Sequence, residues 1–160
     1  MKHRSKIALA LSGVAACTAL SAAPASAHAS AVNCQHSSGN GTVISAAYIE
    51  RFPGDKSTGA IQLCKDSSSR YWGFTILYNA LPAGQQGWSI IASYFDGDTF
   101  TGIWNCESPG GNGDIQPGQT RCWTQKIGST SGRVTFQAEG YFWRDGETQV
   151  VAHGATAQTR

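Results

Sequence analysis

Eight short segments rich in β-branched and aromatic residues follow one another along the chain, separated by clusters of turn residues. No stretch of ten residues carries apolar positions at helical spacing without interruption by glycine or a β-branched residue. Short strands at such regular intervals are typical of an antiparallel β-sandwich or a partly open barrel. The sequence therefore predicts an all-β fold with strands at 42–52, 59–65, 70–79, 87–95, 99–106, 119–127, 132–143 and 148–157.

The turn Asp145-Gly146 joins the last two predicted strands and favours a two-residue type I′ hairpin. That register would place Arg144 opposite Glu147, which pairs opposite charges. It would also place Ala138 opposite His153, on the face that carries the apolar residues of the strand. We therefore expect His153 on the same face as Ala138.

A second hairpin turns at 96–98, and an even number of turn residues would leave both of its faces apolar or aromatic. A sandwich strand normally has one buried and one solvated face. Some of these aromatic residues are therefore expected to pack under loops or to form a binding surface. The two predicted faces are Ile91, Phe95, Phe100, Trp104 and Cys106 on one side, and Trp88, Ile90, Ala92, Tyr94 and Ile103 on the other.

The first 27 residues have the three parts of a secretory signal peptide: basic "MKHRSK", apolar "IALALSGVAACTAL" and small-residue "SAAPASA". The apolar run is too short for a membrane span. We expect cleavage after Ala27, a flexible N-terminal segment at 28–41 and a single domain at 42–160. In the alternative, "VAAC" acts as a lipidation signal and Cys17 anchors the chain as a lipoprotein.

Four cysteines follow the predicted cleavage site, and an even number in an exported chain indicates two disulfides. Sequence alone allows three pairings. We favour Cys34–Cys64 and Cys106–Cys122, because each of these pairs closes a local loop. The second pair is expected to clamp two adjacent strands, with residues 107–119 hanging outside the sheet.

The charge balance disfavours two classes of partner. Without Lys2, Arg4 and Lys6 of the signal peptide, nine basic residues face ten acidic ones, and no run of lysine or arginine occurs after Lys6. Nucleic-acid and anionic-membrane binding both need such a basic footprint. The expected partner is therefore an extracellular protein or a glycan.

The glycine-rich segment 108–120 is not expected to bind phosphate or metal. It contains no lysine and no helix is predicted after it, although a phosphate loop needs both. Counting from Asp96, positions 5 and 6 of a calcium loop would be Phe100 and Thr101, which are not ligands. The histidines show no zinc spacing. We predict no cofactor and no metal site, with a weak oxygen site that uses Asp114, Asp96 or Asp98 and loop carbonyls as the alternative.

Catalytic chemistry is also not expected. The chain has no GxSxG motif, and His153 would need an acid such as Glu139 to act as a base. The predicted hairpin register puts these two residues on opposite faces of adjacent strands. We therefore expect no catalytic residue and interpret His153 as a structural histidine.

The tryptophans are the remaining candidates for function. Trp72 alternates with Phe74 and Ile76 and is expected to be buried. Exposed tryptophan and tyrosine side chains are frequent anchors in protein interfaces and form platforms for ligand rings. The candidate binding residues are Asp114, near the tip of the long loop, together with Trp123, Tyr141 and Trp143.

The combination of "AAPASA", four cysteines and the string "NCESPGGNGDIQPGQTRCWT" resembles small four-cysteine secreted proteins of filamentous actinobacteria. This resemblance implies an exported bacterial accessory protein and carries over no activity. We expect a secreted, non-enzymatic module that contacts another extracellular protein through loops and exposed aromatic residues. The alternatives are a carbohydrate- or cell-wall-binding module, a protease inhibitor and a small hydrolase.

Overall fold

The computed structural model describes residues 33–128, 131–144, 146 and 149–160. The predicted signal peptide, Cys17, and the turn residues Asp145 and Glu147 lie outside the described residues. Within them no helix is long and apolar enough to cross a membrane. All the regular elements described are strands, as predicted: β1 (Gln35–His36), β2 (Gly39–Asn40), β3 (Thr42–Ile49), β4 (Gly59–Lys65), β5 (Arg70–Leu77), β6 (Gln85–Phe95), β7 (Thr99–Asn105), β8 (Arg121–Trp123), β9 (Ile127–Gly128), β10 (Val134–Arg144) and β11 (Val150–Ala155).

The strands form three antiparallel sheets, and the two large ones pack face to face as a sandwich. One large sheet has the order β11-β10-β6-β7, and the other has the order β3-β4-β5-β8 with β9 also paired to β5. Alternate residues of each strand point inward, so that Tyr71 of one sheet stacks on Phe136 of the other at 4.5 Å between ring centroids. The core between the sheets also contains Ile49, Ile61, Leu63, Leu77, Ile91, Ala138, Phe142 and Ala152.

The two large sheets meet along one edge, where β11 passes the end of β3. The backbones of Glu50 and His153 exchange two hydrogen bonds of 3.0 and 3.1 Å. Only glycine fits at position 154, because a Cβ atom there would collide with the carbonyl oxygen of Tyr48. The close approach of the two strands therefore depends on a missing side chain.

The small sheet β1–β2 covers a second apolar cluster on the outer side of the five-stranded sheet. This cluster contains Cys34, Cys64, Trp72 and Phe74, all fully buried, which confirms the predicted burial of Trp72. The Cys34–Cys64 disulfide fastens the hairpin, and Trp72 Nε1 donates a 3.2 Å hydrogen bond to the carbonyl oxygen of Gln35. Residues 33–41, the described part of segment 28–41, therefore shield this cluster from solvent.

The Cys106–Cys122 disulfide is also as predicted, but its place in the fold is different. Cys106 follows β7 in the four-stranded sheet, whereas Cys122 lies in β8 of the other sheet, so the bond joins the two sheets. The expected clamp between adjacent strands, with the loop hanging outside, is wrong. Ile115, in the middle of the loop, is fully buried and exchanges backbone hydrogen bonds of 2.8 and 3.1 Å with Gly87. The loop crosses between sheets because β8 pairs with β5 rather than with β7.

The β6–β7 hairpin has the predicted register only in the half that is farther from the turn, and a bulge separates this half from the rest. Trp104 lies opposite Ile91, as expected. An irregularity next to Ser93 shifts the register near the turn, so that Phe100 lies opposite Tyr94 with ring centroids 6.1 Å apart. The predicted grouping of Phe100 with Ile91 and Trp104 on one face is therefore wrong, because one extra residue in a strand changes the face of all residues after it.

The β10–β11 hairpin departs from the predicted register in the same way. Tyr141, and not Ala138, lies opposite His153. Two residues of this three-residue shift are already present at the Trp143–Val150 pair, and a bulge between Phe142 and Trp143 adds the third, which changes the face. The bulge moves His153 to the solvent-facing side of the sheet, where its side chain is 45% exposed. The predicted placement of His153 on the apolar face is therefore wrong.

Candidate functional site

The four candidate binding residues fall in two separate places. Asp114, Tyr141 and Trp143 gather on the face of the four-stranded sheet that points away from the core, which we call the outer face. Trp123 lies on the far side of the five-stranded sheet, against the cluster beneath β1–β2. All four residues are half-buried. The structure thus groups three of the predicted residues and separates the fourth.

A row of four side chains crosses the outer face. Tyr141 on β10 lies opposite Trp88 on β6 and, on its other side, opposite His153 on β11. Ile115 bridges to Gly87, which brings the preceding residue, Asp114, beside Trp88. Trp88 was not among the predicted site residues, because only the pairing of β6 with β10 brings it next to Tyr141.

Trp88 also contacts the third predicted residue of this face. Its ring meets that of Trp143 edge to face, with centroids 4.5 Å apart and planes at 75°. Edge-to-face contacts of this kind stabilise aromatic pairs beyond the area they bury. The contact therefore holds the two indole rings in one relative orientation on the outer face.

Glu139 connects the two rings at the β11 end of the row. Its Oε2 accepts a hydrogen bond from the Tyr141 hydroxyl and lies 3.3 Å from His153 Nε2. The Tyr141 and His153 rings stack at 4.6 Å between centroids with planes 26° apart. The expectation that Glu139 and His153 lie on opposite faces is therefore wrong, and the bulge in β10–β11 is the reason.

The surroundings of Tyr141 hold its hydroxyl in the protonated form. Burial, followed by the hydrogen bond to Glu139 and the charge of that carboxylate, raises the pKa of Tyr141 far above its ordinary value. A phenol whose pKa is raised keeps its proton and acts as a hydrogen-bond donor. The Glu139 carboxylate therefore orients two rings on the surface.

Asp114 occupies the other end of the row in a less polar environment. Burial is the main cause that raises the pKa of its carboxyl to about 6, and the Glu107 carboxylate raises it further, while the Trp88 indole N–H opposes the shift. The Oδ1 atom of Asp114 is buried and has no hydrogen-bond partner within the described residues. Trp88 Nε1 is likewise buried, and no described residue accepts a hydrogen bond from it at ordinary geometry. The Trp88 indole N–H nevertheless lies close enough to the Asp114 carboxyl to lower the pKa of that group.

The outer face ends at β7, an edge strand with exposed apolar residues. Phe100 is 56% exposed and Ile103 is 55% exposed, and both lie on the outer face because they are opposite Tyr94 and Ala92. The strand sequence TFTGIWN contains no charged residue. Sequence reasoning missed this site, because it had placed Phe100 on the opposite face of the hairpin from Ile103.

Trp123 lines an open groove of about 390 Å³ on the other side of the molecule. Its backbone N–H donates a 2.6 Å hydrogen bond to Asn112 Oδ1. Across the groove, Arg121 donates to the side-chain oxygen of Gln35 from the small hairpin. The long loop supplies the remaining walls with residues 118–120.

In the part of the chain that the structure describes, no group of three histidine, cysteine or acidic side chains is placed to hold a metal ion. Comparison with known proteins finds no family model, no curated protein and no solved structure that matches the chain.

Proposed function

We propose that the protein is a secreted, non-enzymatic binding module that contacts another extracellular protein through its outer face. The observation that carries this proposal is the exposure of Phe100 and Ile103 side by side on the uncharged edge strand β7. Natural proteins usually protect edge strands with charges or proline, because an unpaired edge attracts further strands. An edge strand that exposes apolar side chains and carries neither charge nor proline is therefore the expected feature of a surface that a partner covers.

The rest of the outer face supports the same role. Trp88, Trp143 and Tyr141 place three aromatic rings on one sheet surface, and tryptophan and tyrosine are enriched among the residues that dominate binding energy. Glu139 and His153 supply polar groups at the rim. The partner would add a strand along β7 and lay its side chains across these rings. Two fully buried disulfides support an extracellular location.

Affinity capture from culture fluid tests the proposal. We expect the tagged protein to recover a secreted partner, and the double variant Phe100→Ser/Ile103→Lys to lose at least about nine-tenths of it, as for loss of central interface anchors. Phe52→Ser is the matched control, because Phe52 is 65% exposed but lies outside the outer face, in the turn after β3.

Sedimentation of the purified protein separates this proposal from self-association. We expect a monomer at micromolar concentration for both the wild type and the double variant. A wild-type dimer that the double variant abolishes would contradict the proposal, since β7 would then pair with a second copy. Equal recovery of the partner by the wild type and the double variant would contradict it as well.

A further inference from the structure

The groove beside Trp123 has the chemistry of a site for a polyhydroxylated ligand. Its walls carry three side-chain amides, one hydroxyl, one guanidinium and one indole, from Gln35, Asn112, Gln119, Thr120, Arg121 and Trp123. Each amide oxygen already accepts a hydrogen bond within the protein, from Arg121 for Gln35, from the Trp123 backbone for Asn112 and from the Gln116 backbone for Gln119. An amide oxygen has two lone pairs, so each can accept one more hydrogen bond from a ligand hydroxyl. None of the described residues that line the groove carries a carboxylate, so its chemistry does not favour a cation.

The groove is open to solvent and large enough for a small ligand. Its volume of about 390 Å³ lies within the range of small-molecule sites, about 300–1,000 Å³. Most small-molecule sites are lined chiefly by apolar side chains with a few polar groups. This groove has the reverse composition, one half-buried aromatic ring among polar side chains, which suits a ligand with one flat apolar face and many hydroxyl groups. Trp123 is the only aromatic residue among the groove-lining residues that the structure describes.

Both disulfides hold the walls of the groove. Gln35 follows Cys34 directly, and Cys122 lies between Arg121 and Trp123 in β8. Two hydrogen bonds hold the side chains of the walls in place, one from Arg121 to Gln35 and one from the Trp123 backbone to Asn112. A site whose walls are already fixed loses little conformational entropy when a ligand binds.

We propose that this groove is a saccharide-binding subsite, which takes neutral pyranose units with one sugar face against the Trp123 indole. Amide and hydroxyl groups of the walls hydrogen-bond the sugar hydroxyls. The groove opens on the outer side of the five-stranded sheet, whereas Phe100 and Ile103 are exposed on the outer face of the four-stranded sheet. Saccharide binding here is therefore independent of the protein partner proposed for the outer face, and either can fail without the other.

Nuclear magnetic resonance of the ¹⁵N-labelled protein provides a residue-specific test, because the five tryptophans give separate indole signals. The probes are maltotriose, cellotriose and the trimer of N-acetylglucosamine, each added to about 20 mM to cover millimolar affinities. We expect at least one probe to shift the Trp123 indole signal with saturation. The Trp88 and Trp143 signals on the outer face should stay in place.

Two variants keep the test independent of folding. Trp123→Leu retains apolar volume against the cluster beneath β1–β2 but removes the flat ring, and Thr120→Val removes only a hydroxyl. We expect binding to weaken about tenfold or more in the first and about threefold or more in the second. Trp143→Leu is the matched control on the outer face and should leave saccharide binding unchanged.

Three results would overturn the proposal. The first is the absence of a saturable shift at Trp123 with all three saccharides. The second is undiminished binding by folded Trp123→Leu or Thr120→Val. The third is a Trp123 response to inorganic phosphate or to a glycine-rich peptide but not to the saccharides, which would assign the groove to an anion or a protein segment.

Discussion

His153 Nε2 lies 3.3 Å from Glu139 Oε2, and the Tyr141 hydroxyl donates to the same carboxylate oxygen. The three side chains come from two neighbouring strands and form one hydrogen-bonded surface cluster. Because the Tyr141 ring also stacks on His153, a change at Glu139 affects both the charge and the orientation of the two rings. The cluster therefore offers a direct test of the geometry of the outer face.

We predict that Glu139→Gln lowers the pKa of Tyr141 but leaves it above the ordinary value, since burial, the main cause of the raised pKa, remains. A pKa raised in the folded state contributes stability that is complete below about pH 10 and is lost as pH rises toward the folded-state value. Alkaline ultraviolet titration of tyrosine absorbance measures the shift, with Tyr141→Phe to identify the signal. Identical titration curves for the wild type and Glu139→Gln would contradict the described contact.

The raised pKa of Asp114 predicts that the stability of Asp114→Asn relative to the wild type changes with pH in the acid range. Since burial raises the pKa of its carboxyl to about 6, the favourable contribution of the protonated form is complete below about pH 4 and is lost as pH rises through 6. Asp114→Asn cannot ionise, so its stability relative to the wild type should rise over this interval. We expect about 1 kcal/mol after allowance for solvent screening of a partly exposed group.

Urea unfolding at about pH 4 and about pH 7.5 measures this difference. Glu107→Gln provides a second variant, because it should lower the pKa of Asp114, which carbon NMR of the carboxyl group can follow. A constant stability difference between the wild type and Asp114→Asn across this range would show that the Asp114 carboxyl is solvated in solution.

The two disulfides should have different local effects when they are removed. The Cys106→Ala/Cys122→Ala variant opens a loop with a sequence separation of 16 and should cost about 3 kcal/mol in the chain-entropy model. Hydrogen exchange should accelerate at the Ile115 amide, which bonds to Gly87 in the crossing loop. A Cys34→Ala/Cys64→Ala variant should instead expose the Gly41 amide, whose hydrogen bond to Cys34 holds the small hairpin. The reverse pattern of exchange would contradict the described connections.

Gly154→Ala should destabilise the edge at which the two sheets meet. The added Cβ atom would collide with the Tyr48 carbonyl oxygen, and relief of such overpacking in a strand costs about 1–3 kcal/mol. We expect faster exchange at the Glu50 amide, which bonds to His153. Gly132→Ala is the matched control, because no atom lies within 4 Å of its Cβ position. Equal unfolding midpoints for both variants would argue against the close approach.

The local features of this fold could be predicted from the sequence. Alternation of apolar residues located the longer strands, and the spacing of the cysteines favoured the observed pairs. The burial of Trp72 follows from the same alternation, because it shares a strand face with Phe74. These features depend on neighbours in sequence, which is the information that a local pattern contains.

The composition of the site could not be predicted, because it depends on irregularities and on long-range pairing. A single bulge next to Trp143 decides whether His153 meets Glu139, and no turn signal marks that bulge. The pairing of β8 with β5 places Trp123 on the outer side of the other large sheet from Asp114, although only eight residues lie between them in the chain. Neither arrangement leaves a trace in local hydrophobic periodicity.

The loop between Cys106 and Cys122 separates the chain into two parts, which the disulfide joins. Neither part contains all the strands of either large sheet. The first part supplies β6 and β7 to the four-stranded sheet, and the second supplies β10 and β11. A protease that cleaves the loop between the two cysteines would therefore produce two interlocked polypeptides that stay covalently joined. The same loop is a natural split point for complementing fragments, which would reassemble through both sheets and then be sealed by oxidation.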